Sequence, residues 1–157
     1  MTYPQSERLP LSKAAEFLLD ECRMVLPGIQ ALFGFQLIAV FSPGFDSKLD
    51  NAGREIHLVA IGLVAIAVAL VMAPAAYNRH KGLHHVTEVF LRVSNRLLLF
   101  SMLPLVLAIC LDFYLIAGVI VGRGAGALAS GLFVVFATLW LALPRARSLQ
   151  RALGGIE

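Results

Sequence analysis

The chain has 157 residues, of which 59% are hydrophobic and only 15% charged, with a formal net charge of +3. A soluble domain carries about 45–50% apolar and about 25% charged residues, so too little polar surface is present to cover a water-soluble core of this size. The basic residues gather at the ends of apolar runs, which points to a membrane and away from nucleic acid.

Residues 1–10 are polar and are expected to be disordered, and no signal peptide with a small-residue cleavage site is visible. Residues 11–23, LSKAAEFLLDECR, read as an amphipathic helix with Ser12 as its N-cap. This helix either lies on the inner membrane surface or extends the first span. Four nearly uncharged windows follow, at 24–42, 56–77, 97–118 and 125–143. Each holds about 18–23 residues, enough at about 1.5 Å per residue to cross a hydrocarbon core of about 30 Å. The expected fold is therefore all-α: a four-helix transmembrane bundle with an amphipathic N-terminal helix, forming one domain over residues 11–143.

In the first span, Pro27-Gly28 is expected to bend the chain at membrane entry. At 100° per residue, Glu16, Asp20, Arg23, Pro27, Gln30 and Gly34 share a sector of about 80°, and Gln36 lies about 120° away from Gln30. Each glutamine either hydrogen-bonds to a neighbouring helix or lines a polar path. The loop SPGFDSKLDNAG ends this span.

The second span is expected to close near Pro74 and AAYNRH. Arg54, His57, Leu58, Ile61 and Ala65 are placed on one of its faces. The inner loop brings His80, His84 and Glu88 at i, i+4 and i+8, a weak candidate metal set with zinc as the default, although Gly82 argues against an unbroken helix there. Residues 82–96 read as an amphipathic helix that feeds the third span, which contains Pro104.

Asp112 is the sharpest single residue. An ionisable group inside a membrane span is by default a functional-site hypothesis. Ser94, Ser101, Ala108 and Asp112 share a face of the third span, and antiparallel packing against the second sets Asp112 level with His57 or Arg54. Such a pair is either a structural contact or a protonatable site, because His and Asp exchange protons when their surroundings shift them. The candidate ion-pathway residues are Asp112, His57, Arg54, Gln30 and Ser101. Beyond Asp112, Gly118, Gly122 and Gly126 recur every four residues, and the favoured reading is a tight outer turn from Gly122 to Gly126. Trp140 and Pro144 close the fourth span, and a basic tail spans 144–157. Cys22 and Cys110 read as unpaired small hydrophobes.

Counted by segment, ten Lys and Arg residues fall on the side of the termini and the middle loop, against three on the other side. The positive-inside rule then sets both termini in the cytoplasm. No G-x-S-x-G, Walker loop, HExxH or Cys-x-x-Cys is present, so an enzyme is not expected, nor a cofactor.

Three stretches carry a family resemblance: DECRMVLPGIQALFGFQLIAVF, the PAAYNRH end of the second span, and the run FLRVSNRLL…PLVLAICLDFYLI. Over roughly residues 16–118 the chain resembles an uncharacterised family of small four-span bacterial inner-membrane proteins, a domain of unknown function. Some relatives in it are labelled sodium/proton antiporter. Where that family often has A-Y-H-R, this chain has Asn78, with His80 after Arg79. The resemblance implies four spans and no established activity. Two functions remain open at this point: a small ion or proton translocator or channel, or a non-transporting accessory or scaffold protein. The expected partners are the lipid bilayer and further copies of the chain, because four short spans enclose little space.

Overall fold

The computed structural model describes residues 10–81 and 87–142, which are almost entirely helical. Helix α1 runs over Leu11–Val40 and the short α2 over Phe45–Lys48. Helix α3 covers Asn51–Lys81 and α4 Glu88–Val121. A single tight turn, Gly122–Gly124, leads to α5 at Ala125–Ala137, whose last residues widen into a π-helical turn over Thr138–Ala142.

Three segments are long and apolar enough to cross a membrane: Leu11–Val40, Asn51–Tyr77 and Glu88–Trp140. The third takes α4 and α5 together, with the turn at Gly122 between them. Gly122 has φ +69°, a left-handed conformation that a side chain disfavours, so a tight turn is present there; it closes by Gly124, and Gly126, expected within the turn, is already in α5.

Several boundaries differ from the sequence expectations. The amphipathic segment and the first span are one helix, so residues 11–23 extend the span. Ser12 is not the N-cap, because Pro10 O already accepts from Ala14 N at 3.1 Å. Helix α1 continues through Pro27, α3 through Pro74 to Lys81, and α4 through Pro104. A proline removes one backbone donor, and a long apolar helix retains enough of its other hydrogen bonds to run on.

True caps do appear elsewhere. Asp50 Oδ1 accepts from Gly53 N at 2.8 Å and starts α3. Thr87 Oγ1 accepts from Phe90 N at 3.2 Å and starts α4. The loop after α1 is not plain coil, because it contains α2.

The chain divides into two compact units. One comprises Met1–Phe35 with Val64–Pro104, the other Gln36–Leu63 with Leu105–Glu157. In the first unit, Ala15, Leu18, Cys22 and Ile29 are the buried positions of α1. They recur in steps of three, four and seven, the seam of a helix packed at a shallow angle. Val64, Ala67, Val71 and Pro74 are buried on α3, and Phe90, Ser94, Leu98 and Ser101 on α4. Tyr77 and Phe90 stack at 5.7 Å.

In the second unit, Gln36 continues the α1 seam. Gly53, His57 and Ala60 are buried on α3, and Val106, Ala108, Cys110, Leu115 and Ala117 on α4. The buried face of α3 is thus rotated from the expected one. His57 lies on it, but Leu58 is 68% exposed and Ala65 is exposed as well. Small side chains such as Ala60 and Ala67 let backbones approach, while the large apolar ones turn outward. Met24, Phe35, Phe41, Leu58 and Ile120 are all at least two-thirds exposed, a surface suited to lipid and unsuited to water. Cys22 and Cys110 are both buried and unpaired.

Candidate functional site

Within the second unit, three polar side chains converge from three helices. Gln36 sits one turn before the end of α1, His57 lies near the start of α3, and Asp112 is two turns short of the end of α4. Gln36 is 4% exposed and His57 7%. The Asp112 side chain is 16% exposed.

Gln36 serves both partners. Its side-chain Nε2 donates to Asp112 Oδ2 at 2.6 Å. Its backbone carbonyl lies 3.0 Å from His57 Nε2. The contact that closes the ring is His57 Nδ1 to Asp112 Oδ1 at 3.3 Å, within ion-pair range. It is not aligned as a hydrogen bond, and both Asp112 Oδ1 and Gln36 Oε1 are buried acceptors with no hydrogen-bond partner.

The proton count follows from valence. A carbonyl oxygen only accepts, so His57 Nε2 carries a hydrogen. With Nε2 protonated, a neutral imidazole turns the lone pair of Nδ1 toward the carboxylate. That arrangement sets two acceptors 3.3 Å apart. One proton removes the repulsion, either on Nδ1 as imidazolium beside carboxylate or on Asp112 beside neutral imidazole. Either placement gives the contact one donor and one acceptor. The Gln36 amide has a defined orientation too, since its reverse sets two oxygens 2.6 Å apart.

Phe45 on α2 covers His57 edge-on, with ring centroids 5.3 Å apart. Helix α2 is itself held by Arg54. Its Nη2 donates to Asp46 O at 2.9 Å and its Nε to Leu49 O at 3.3 Å, while Nη1 lies 3.4 Å from Asp46 Oδ1. Arg54 thus fastens the loop that carries Phe45 and does not meet Asp112. Of the two partners expected for Asp112, the structure brings only His57.

The remaining candidates, Ser101 and Gln30, fall in the first unit. Ser101 is buried, and its hydroxyl donates to Leu98 O at 2.7 Å, one turn back on its own helix. Gln30 is exposed and belongs to the first unit. Gln36, which sequence reading set apart from the pathway, occupies the site instead. Its signal was the spacing Ala15, Cys22, Ile29, Gln36, seven residues at a time along the buried seam. Phe45 had no comparable signal, because it sits in a turn-rich loop.

For the weak metal set, Glu88 opens α4 and is exposed, while the His80 side chain and His84 lie outside the described residues. Among the described residues, no three His, Cys, Asp or Glu side chains group as metal ligands. The disordered N-terminus expected for residues 1–10 and the tail of 144–157 with Pro144 also lie outside them, apart from Pro10.

A family match covers residues 6–144, which includes every residue of the site. The chain belongs to the family of unknown function DUF6328. No curated protein and no solved structure matches it. For this DUF6328 member, the buried Gln36–His57–Asp112 group is accordingly the feature from which a function is argued.

Proposed function

We propose that this DUF6328 protein is a multi-pass membrane protein that moves a small cation, the proton foremost, through a site built on Asp112 and His57. The observation that carries the reading is the carboxylate–imidazole contact at 3.3 Å, made by an Asp112 Oδ1 that has no hydrogen bond and flanked by Gln36 Oε1, which has none either. Intramembrane ionisable groups are expensive and mark ion and proton pathways. A His–Asp pair that holds one proton can pass it on without unpairing a full charge in lipid.

In this reading α5 is the fourth span, returning after the Gly122 turn. Both termini then face the cytoplasm of a bacterial cell, on the side that holds ten of the thirteen Lys and Arg residues. A reporter fused within residues 43–53 is expected on the outer side, and a cytoplasmic signal there refutes the topology. No catalytic role is assigned, and no cofactor is required.

The test is flux in proteoliposomes. Wild-type protein is expected to pass H⁺, and Asp112→Asn to lose that flux while remaining folded. Wild-type fluxes of H⁺, Na⁺ and K⁺ equal to those of protein-free vesicles refute the proposal. One observation favours a second reading: Gln36 joins α3 and α4 through a single residue, as a structural clasp does. Under that reading the protein is a non-transporting scaffold, with zero flux and a stoichiometric partner recovered from native membranes.

A further inference from the structure

Gln30 has no place in the site, yet it is a polar amide on a membrane-length helix. It lies ten residues before Val40, the end of α1. At about 1.5 Å per residue that is about 15 Å, half of a hydrocarbon core of about 30 Å. Where α1 crosses a bilayer, Gln30 is therefore near the midplane. It is exposed, and among the described residues it makes no hydrogen bond. Neither water nor lipid headgroups supply a partner at that depth.

The face that carries Gln30 is ordered. Glu16, Asp20, Arg23, Pro27 and Gln30 recur in steps of four and three, and all five are exposed. This is a second heptad seam on α1, separate from the buried one through Ala15, Cys22 and Ile29. A polar residue at one seam position sets register and partner number in helix pairs.

We propose that this seam is the contact surface for a second copy of the chain, with the two Gln30 amides hydrogen-bonded to each other near the bilayer midplane. A second copy fits this seam better than any other partner. First, a copy inserted with the same topology brings an amide to the same depth. A carboxamide has both donors and an acceptor, so two of them pair reciprocally about a two-fold axis. Second, the inner end of the seam carries Asp20 and Arg23, about 10–15 Å from Gln30 along the helix, and these already pair within one chain at 3.0 Å. About the same axis, Asp20 of each copy comes within a turn of Arg23 of the other.

The proposal rests on α1 crossing the membrane but not on transport, so an absence of ion flux leaves it standing. It is tested with the full chain in liposomes, using energy transfer between labelled copies as lipid dilution is varied. Gln30→Leu is expected to weaken self-association roughly threefold to thirtyfold, and Gln30→Asn to preserve most of it. In a chain with Cys22→Ala and Cys110→Ala, Gln30→Cys is expected to cross-link to itself in native membranes. Phe35→Cys, about 140° round the helix, is expected not to. A wild-type chain that is monomeric at every dilution overturns the proposal. So does cross-linking at residue 35 but not 30, or cross-linking of residue 30 only to a different protein.

Discussion

Gln36 Nε2 donates to Asp112 Oδ2 at 2.6 Å across 76 residues of sequence, and this one bond ties the end of α1 to α4. Gln36→Leu keeps the side-chain volume but removes the donor, leaving a buried carboxylate oxygen without its partner. The expected loss is about 1–3 kcal/mol of stability. Gln30→Leu, on the exposed face, is expected to change the stability of the isolated chain by less than about 0.5 kcal/mol. Thermal unfolding of both variants in one detergent under monomeric conditions checks the contrast.

Asp112→Asn replaces the carboxylate with an amide that donates to His57 Nδ1 without an exchangeable charge. Under the proposed function the pair carries a proton that the variant lacks, so the pH-dependent infrared change of a carboxyl or imidazolium group at this site is expected to vanish. An unchanged difference spectrum in Asp112→Asn refutes the proton count. His57→Gln is expected to leave only a carboxyl signal.

Arg54 holds α2 through two backbone carbonyls and a half-exposed ion pair. Arg54→Ala is expected to cost less than about 1 kcal/mol globally, since exposed ion pairs contribute little. Its local effect is larger: amide hydrogen exchange over residues 42–50 is expected to rise, because the segment loses its fastening and Phe45 its hold over His57. Exchange that rises equally over α1 and α4 refutes this local role.

Gly122 adopts φ +69°, and a Cβ built there meets no other atom within 4 Å. Any penalty for Gly122→Ala is therefore conformational and not steric crowding, about 1–2 kcal/mol for a left-handed alanine. Gly126→Ala, in a regular helix with equally open space, is expected to be neutral or stabilising. Comparing the two variants by thermal unfolding separates the turn from the helix.

The sequence by itself determined the helical class, the long apolar segments and the turn at Gly122, and it placed Asp112 as an ionisable group within one of those segments. These are local or compositional properties: apolar length, charge placement and backbone preference act on a residue whatever lies opposite it. Helix ends were less legible. Pro10, Asp50 and Thr87 start helices through bonds made over three or four residues, and Pro74, the expected close of the second span, lies inside a helix that runs on to Lys81. Only tertiary structure decided which glutamine meets Asp112. Gln30 and Gln36 are chemically identical, and the charged stripe running into Gln30 made it the more visible one. Burial of a face depends on what packs against it, and the buried face of α3 runs through His57, Ala60, Val64 and Ala67, away from the one expected through Leu58 and Ala65. On that face His57 is buried against Asp112, while Leu58 is exposed and Arg54 meets the α2 segment. A hydrogen bond between positions 76 residues apart has no local signature, because its energy exists only once both helices are in place.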